Sequence, residues 1–198
     1  MAFNTQSLIL ASTSMARQAM LKSAGLTFEV KKPAIDEAAM QEKLGQLAPV
    51  DLALQLAKAK ALSVRVGEAY VIGSDQILEF KGRVLHKAKS LPEAITNLGR
   101  LSGHTHKLHS AVVVVKNGKE QFSHTSTAIM KMRVLTQTLL QSYVQKEQEA
   151  LLNSVGGYYY EAAGHQLFED VSGDINTIMG MPLLPLLAFF REKAIIAS

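Results

Sequence analysis

Cysteine is absent from the 198-residue chain, which excludes disulfides and thiolate-held metals and agrees with a reducing compartment. Long hydrophobic runs are absent too. The densest, from Leu183 to Phe190, is interrupted by Pro185 and falls well short of the roughly 20 apolar residues that a bilayer helix needs. The opening segment MAFNTQSLILAS has neither the basic start nor the long apolar stretch of a secretory leader, so a cytoplasmic protein without membrane association is expected. Blocks of one charge are missing. The 21 Lys and Arg against 17 Asp and Glu leave +4, which mildly favours anionic partners, but the two signs are interleaved and no basic stripe suited to stable nucleic-acid binding occurs. Without repeats, low-complexity tracts or linkers, the length suits a single domain over residues 1–198 with room for a sizeable core.

What is present reads as α/β. Leu8 to Ala11 is a strand signal, followed by a helix from Met15 to Ala24 that Ser14 can cap and Gly25 can close. Phe28 to Val30 reads as a second strand, and Leu52 to Val64 carries apolar residues on a helical period broken near its end by Lys58 and Lys60. AYVIGSD reads as a buried strand with Asp75 at its polar tip, and ILEFKGRVL as a hairpin around Lys81 and Gly82. SLPE has capping-box spacing and opens a helix ending near Gly99. A second hairpin turns at Asn117 and Gly118, TLLQSYVQ is a short helix, and Pro182 opens a C-terminal one. The long hairpins argue against a purely parallel sheet.

Two stretches carry chemistry. In LILASTSMARQAML a strand meets a helix start, where unpaired backbone N–H groups and the helix dipole favour an anion. Ser12, Thr13 and Ser14 add hydroxyl donors, and Arg17 lies one turn in, so the corner is a candidate phosphate seat. An ordinary Ser14 cap with Arg17 on a solvated face accounts for the same residues. In YVIGSDQI a carboxylate at the end of an apolar strand is a common position for a metal ligand or general base, though a turn aspartate fits equally. Asp36, Glu37, Lys60 and Lys87 stand near element ends, and two carboxylates with several cations suit Mg²⁺ and a polyphosphate.

Seven blocks, LILASTSMAR, IDE, LAKAKA, VIGSDQ, LHKAKS, LSGHTH and SGDINTIMGMP, resemble in order and spacing the Maf family of nucleoside triphosphate pyrophosphatases, from Leu8 to Leu187. The resemblance implies an elongated mixed sheet with flanking helices and two lobes around a deep nucleotide-binding cleft, a Maf/ITPase-like fold, in a homodimer. It implies Mg²⁺- or Mn²⁺-dependent hydrolysis of a nucleoside triphosphate to monophosphate and pyrophosphate. Carried over by motif, Ser12 and Arg17 match the phosphate-binding pair, with Ser14 beside them. Glu37 matches a metal-site acid, Lys60 and Lys87 the phosphate lysines, and Asp75 the proton acceptor, which also serves the metal.

Departures from the family pattern bear on substrate. Met15 and Ala16 stand where many relatives have proline and arginine, and Gln76 and Glu161 resemble the branch acting on 7-methyl-GTP rather than the one acting on dTTP and UTP. A glutamate can pair with a cationic methylated purine, while Ala16 offers no stacking face. The implied role is removal of non-standard nucleotides, with a link to arrest of cell division by resemblance. A dTTP/UTP pyrophosphatase or a nucleotide-sensing regulator of septum formation without turnover is the alternative. His104, His106 and His109 lack the acidic or cysteine partners of a metal tract and read as structural, with His106 ordering a loop near the cleft. Tyr158 to Tyr160 can stack on a base or pack a loop, and TIMGMP reads as core and a turn.

Overall fold

The computed structural model describes residues 3–197. Its centre is a seven-stranded mixed sheet. Strands β1 (Leu8–Leu10), β2 (Glu29–Val30) and β3 (Tyr70–Phe80) pair in parallel, with β1 in the middle. Strands β4 (Arg83–Leu85), β5 (Thr105–Lys116), β6 (Lys119–Met132) and β7 (Phe168–Ser172) join antiparallel, giving the order β2-β1-β3-β5-β6-β7 with β4 on β3. Both hairpin turns fall where the sequence places them: Lys81 and Gly82 have φ of 51° and 75°, and Asn117 and Gly118 have 52° and 71°. Two consecutive positive-φ residues match the twist of antiparallel strands, and Asn and Gly are the residues that tolerate them best.

The helices are α1 (Met15–Ser23), α2 (Glu37–Lys43), α3 (Pro49–Ser63), α4 (Leu91–Leu101), α5 (Gln137–Lys146), α6 (Gln148–Asn153), α7 (Ile175–Ile178) and α8 (Leu183–Glu192). Ser14 caps α1 as expected, and Ser90 caps α4, which runs two residues past Gly99. Glu93 accepts from the Lys89 N–H rather than from the Ser90 N–H, so the box is shifted by one residue. Helix α2, capped by Asp36, was outside the sequence reading, as were α6, α7 and β7. The strand readings at Ala11 and Phe28 shorten to Leu10 and Glu29. No helix among the described residues is long and apolar enough to cross a membrane.

The apolar core divides along the sheet. Leu10, Ile72, Val112 and Phe190 anchor a cluster under α1 and α8, while Leu56, Ala57, Val71 and Val113 anchor another under α3. A third, around Leu98, Leu108, Met130 and Leu167, packs beneath α4, α5 and α6 at the other end. Burial of each such Leu or Val contributes about 1.5–3 kcal/mol.

Two features of this frame make the site. Strand β5 borders β3 from Val71 to Glu79 along one edge. On the opposite edge β1 covers only Tyr70 to Ile72 and β4 only Leu78 to Phe80. The middle of β3 therefore borders a gap in the sheet, the kind of crevice in which open α/β sheets bind ligands. The second feature is close packing of α3 on β3. A Cβ on Gly73 would lie 2.2 Å from the Ala57 carbonyl oxygen, so glycine there lets the helix approach closely.

Candidate active site

Asp75 is not at the tip of a strand. It sits in the middle of β3, which continues five residues beyond it, and it borders the sheet gap. Ser74, Asp75 and Gln76 look like a polar strand end in sequence, yet each has a buried partner across the pleat. Ser74 and Gln76 face α7, and Asp75 faces α3.

The close approach of α3 brings Lys60 Nζ to 2.6 Å from Asp75 Oδ1. The same ammonium lies 3.0 Å from Glu37 Oε2, in the first turn of α2. One cation thus joins two carboxylates from different elements. Lys60 and Asp75 are each 5% exposed, whereas Glu37 reaches in from solvent. Burial pushes the Asp75 carboxyl above its ordinary range, against the opposing pull of Lys60 and Arg17. A buried carboxyl with a raised pKa in a cleft is a candidate for proton transfer.

Arg17 comes from the β1–α1 corner and is 9% exposed. Its Nε donates to the Gly180 carbonyl at 3.0 Å and its guanidinium reaches Ser12 Oγ at 3.4 Å. Ser12 Oγ also accepts from the Ser14 N–H, and Ser14 Oγ from the Arg17 N–H at a long 3.5 Å. The corner is therefore a helix cap that also turns Ser12 and the Arg17 guanidinium toward the cleft, with Arg17 inside rather than on a solvated face. Burial pulls the Arg17 guanidinium below its ordinary value, and Asp75 and Glu37 oppose the shift. Lys87 extends from the segment after β4 into the same space, still in contact with solvent. Desolvation by the cleft walls lowers its pKa, with Arg17 and Lys60 adding to the effect and Glu37 and Asp75 opposing it.

Helix α7 supplies residues that the sequence reading missed. A helix C-terminus leaves carbonyls without intrahelical donors, and here side chains of the sheet serve them. Gln76 Nε2 donates to the Thr177 and Ile178 carbonyls, each at 2.9 Å, and Ser110 Oγ donates to Thr177 O at 2.7 Å. The Gly180 carbonyl receives Arg17 and the Ser74 hydroxyl, at 2.9 Å from the latter. Gly180 has φ of +105°, a backbone region that favours glycine, and so aims its carbonyl inward. Only the Gly-Met-Pro turn residues hint at this in sequence.

The far wall is the loop from Asn153 to Glu161. Tyr158 is buried, its hydroxyl 2.6 Å from His106 Nε2, while Tyr159, Tyr160 and the exposed Glu161 line the cleft. His106 thus orders this loop, and burial lowers its pKa to about 4, keeping it neutral at physiological pH. His109 bonds Glu79 and Thr127. Among the described residues no group of three or more His, Asp or Glu gathers as a metal cage.

Nine residues singled out from the sequence line one cleft of about 910 Å³: Ser12, Ser14, Arg17 and Glu37; Lys60, Asp75, Gln76 and Lys87; and Glu161; Asp36 does not join them and caps α2 instead. The donor set fits a hard divalent cation of the Mg²⁺ kind. Asp75 and Glu37 offer two carboxylates, too few for an all-protein cage but suited to an ion that takes its other ligands from phosphate and water.

The family model described as Maf-like protein matches residues 7–193. Among curated relatives, a nucleoside triphosphate pyrophosphatase of Rhodopseudomonas palustris is 42% identical over 195 residues, covering 98% of this chain and 96% of its own. A 7-methyl-GTP pyrophosphatase of Rhizobium meliloti is 46% identical over 189 residues, covering 93% and 95%. Among solved structures, a HAM1 protein from Coxiella burnetii is similar with a TM-score of 0.39 at 14% identity, over 65% of this chain and 73% of that one.

Proposed function

The chain belongs to the Maf family, and on that premise we propose that it is a nucleoside triphosphate pyrophosphatase, cleaving its substrate between the α- and β-phosphates into monophosphate and pyrophosphate. The observation that carries this reading is the buried Asp75 at the sheet gap, flanked by Lys60 and within the field of Arg17.

Attack of water on the α-phosphorus forms one P–O bond as the bond to the bridging oxygen breaks, and negative charge grows on the departing pyrophosphate. Asp75 takes the proton from the attacking water. Arg17, Lys60 and Lys87, with the N–H groups at the start of α1, hold the triphosphate in line and offset the growing charge. The fixed contacts of Arg17 to Gly180 and Ser12 mean that little reorganisation accompanies this step. A divalent cation held by Asp75 and Glu37 would supply further charge neutralisation at the phosphates. With the base directed to the far wall, the Glu161 carboxylate favours a cationic methylated purine, so 7-methyl-GTP is the first substrate to try; Gln76 instead ties β3 to the Thr177 and Ile178 carbonyls beside Asp75.

The test is a panel of natural and methylated triphosphates with Mg²⁺ or Mn²⁺, with pyrophosphate and orthophosphate measured separately. Pyrophosphate and monophosphate in equal amounts are expected. Orthophosphate as the primary product would overturn the mechanism, and tight binding without turnover would favour a nucleotide sensor.

A further inference from the structure

Lys60 makes both of its polar contacts to carboxylates, at 2.6 Å to Asp75 and 3.0 Å to Glu37, and its side chain is only 6% exposed. Those are the same two acids that suit a divalent cation. One oxygen set cannot closely hold an ammonium and a divalent ion at once, because two cations sharing it would repel across a few ångströms in a poorly screened interior. Both acids are already paired with the ammonium, so a free divalent ion gains their oxygens only by displacing Lys60. A triphosphate offers the ammonium new oxygen partners along the cleft wall that Lys60 lines.

Building on the nucleotide reading above, we propose that Lys60 makes divalent-cation binding conditional on the triphosphate: the ammonium holds the Asp75 and Glu37 oxygens, and phosphate oxygens draw it off so that the ion can take them. Lys60 is then more than a phosphate clamp. It discriminates against free metal and favours the metal–triphosphate complex. Because linked binding is reciprocal, the ion and the triphosphate each tighten the other by the same factor.

The test reads binding, not turnover. Free Mn²⁺ is followed by electron paramagnetic resonance during titration of the wild type, Lys60→Met and Lys60→Arg, each with and without an α,β-methylene triphosphate analogue that cannot be cleaved between those phosphates. Chelation of Mn²⁺ by the analogue in solution is the same for every protein, so it cancels from the comparison. Without analogue, Lys60→Met is expected to bind Mn²⁺ at least ten-fold more tightly than the wild type, and Lys60→Arg to resemble the wild type. With analogue, the gap between wild type and Lys60→Met closes. Lys60→Gln, whose amide can still donate to Asp75, carries the test if the methionine variant does not fold. Equal Mn²⁺ affinity of the wild type and the neutral variants without analogue would overturn the proposal. Failure of the analogue to bind the wild type in calorimetry would instead overturn the nucleotide reading beneath it.

Discussion

At one end of the cleft Ser12, Arg17, Lys60 and Asp75 stand on a helix start, a fifteen-residue helix and the middle of a long strand, none more than 9% exposed. At the other end Tyr159, Tyr160 and Glu161 ride on an irregular loop, and Glu161 lies in solvent. The first end buries charges, each costing several kcal/mol to desolvate, and offsets the cost by pairing. The second has little charge to desolvate and is held instead by the His106–Tyr158 bond, by the Tyr143 hydroxyl donating to the Gly157 carbonyl and by Tyr160 packing on His165 and Phe168. On the function proposed above, chemistry common to all triphosphates falls to regular elements and recognition of the base to an irregular loop.

The largest effect expected from breaking this contrast is at Asp75. Asp75→Asn removes the proton acceptor and should lower kcat by about 10²–10⁴-fold. It should also raise the melting temperature. A carboxyl whose folded-state pKa is raised adds stability only while protonated, and that stability is lost as pH climbs from the unfolded-state value through the folded one. Because desolvation outweighs the pull of Lys60 and Arg17, the charged form of Asp75 costs the fold stability that a neutral asparagine does not. An upward shift of the melting temperature in a thermal scan at pH 7, alongside lost turnover, is the expected pair of results. A drop in melting temperature would mean that the Lys60 pairing outweighs desolvation.

Next in size is Arg17→Lys. The charge stays, but the ammonium cannot keep the Nε bond to Gly180 while reaching Ser12 and a phosphate, since only guanidinium has that fork. KM for every triphosphate should rise about ten-fold or more, by a similar factor whatever the base. A base-dependent effect would show that the two ends are not separable.

A milder probe is pH. Because burial raises Asp75, the acid limb of kcat/KM should lie above the ordinary carboxylate range, since the ionised form accepts the proton. Because desolvation lowers Lys87, the alkaline limb should fall below the ordinary lysine range as that clamp loses charge. Lys87→Met should remove the alkaline limb and leave the acid limb in place.

The contrast also explains what the sequence disclosed. Local chemistry was readable: Asn117–Gly118 demands a hairpin, Ser14 and Ser90 cap helices, and the apolar period from Leu52 onward yields α3. The Maf motifs name nine candidate residues in order, and the fold brings those nine to one cleft. The setting of Asp75 was not. A polar triplet after four apolar or small residues has the pattern of a strand end, and only tertiary partners, α3 on one face and α7 on the other, reveal that the strand continues. The carbonyls of α7 and the turn after it that hold Gln76 and Arg17 were equally hidden, because backbone acceptors have no residue letter and lie about 100 and 160 positions away in the chain.

The smallest expected effect, and the sharpest on the base end, comes from Glu161→Gln. Glu161 makes no hydrogen bond or ion pair among the described residues and is exposed, so its loss should leave the melting temperature unchanged. Any role in recognition acts through charge alone: a carboxylate attracts the positive ring of 7-methylguanine and is indifferent to the neutral ring of guanine. The ratio of kcat/KM for 7-methyl-GTP over GTP should therefore fall about two- to five-fold, the scale of an exposed ion pair, with little change on GTP itself. Added salt should shrink the wild-type ratio toward that of the variant, because exposed pairs are screened over about 10 Å at 0.1 M. If both substrates lose activity together, Glu161 belongs with the phosphate end, and the division between a buried reaction centre and an exposed base reader fails at this residue.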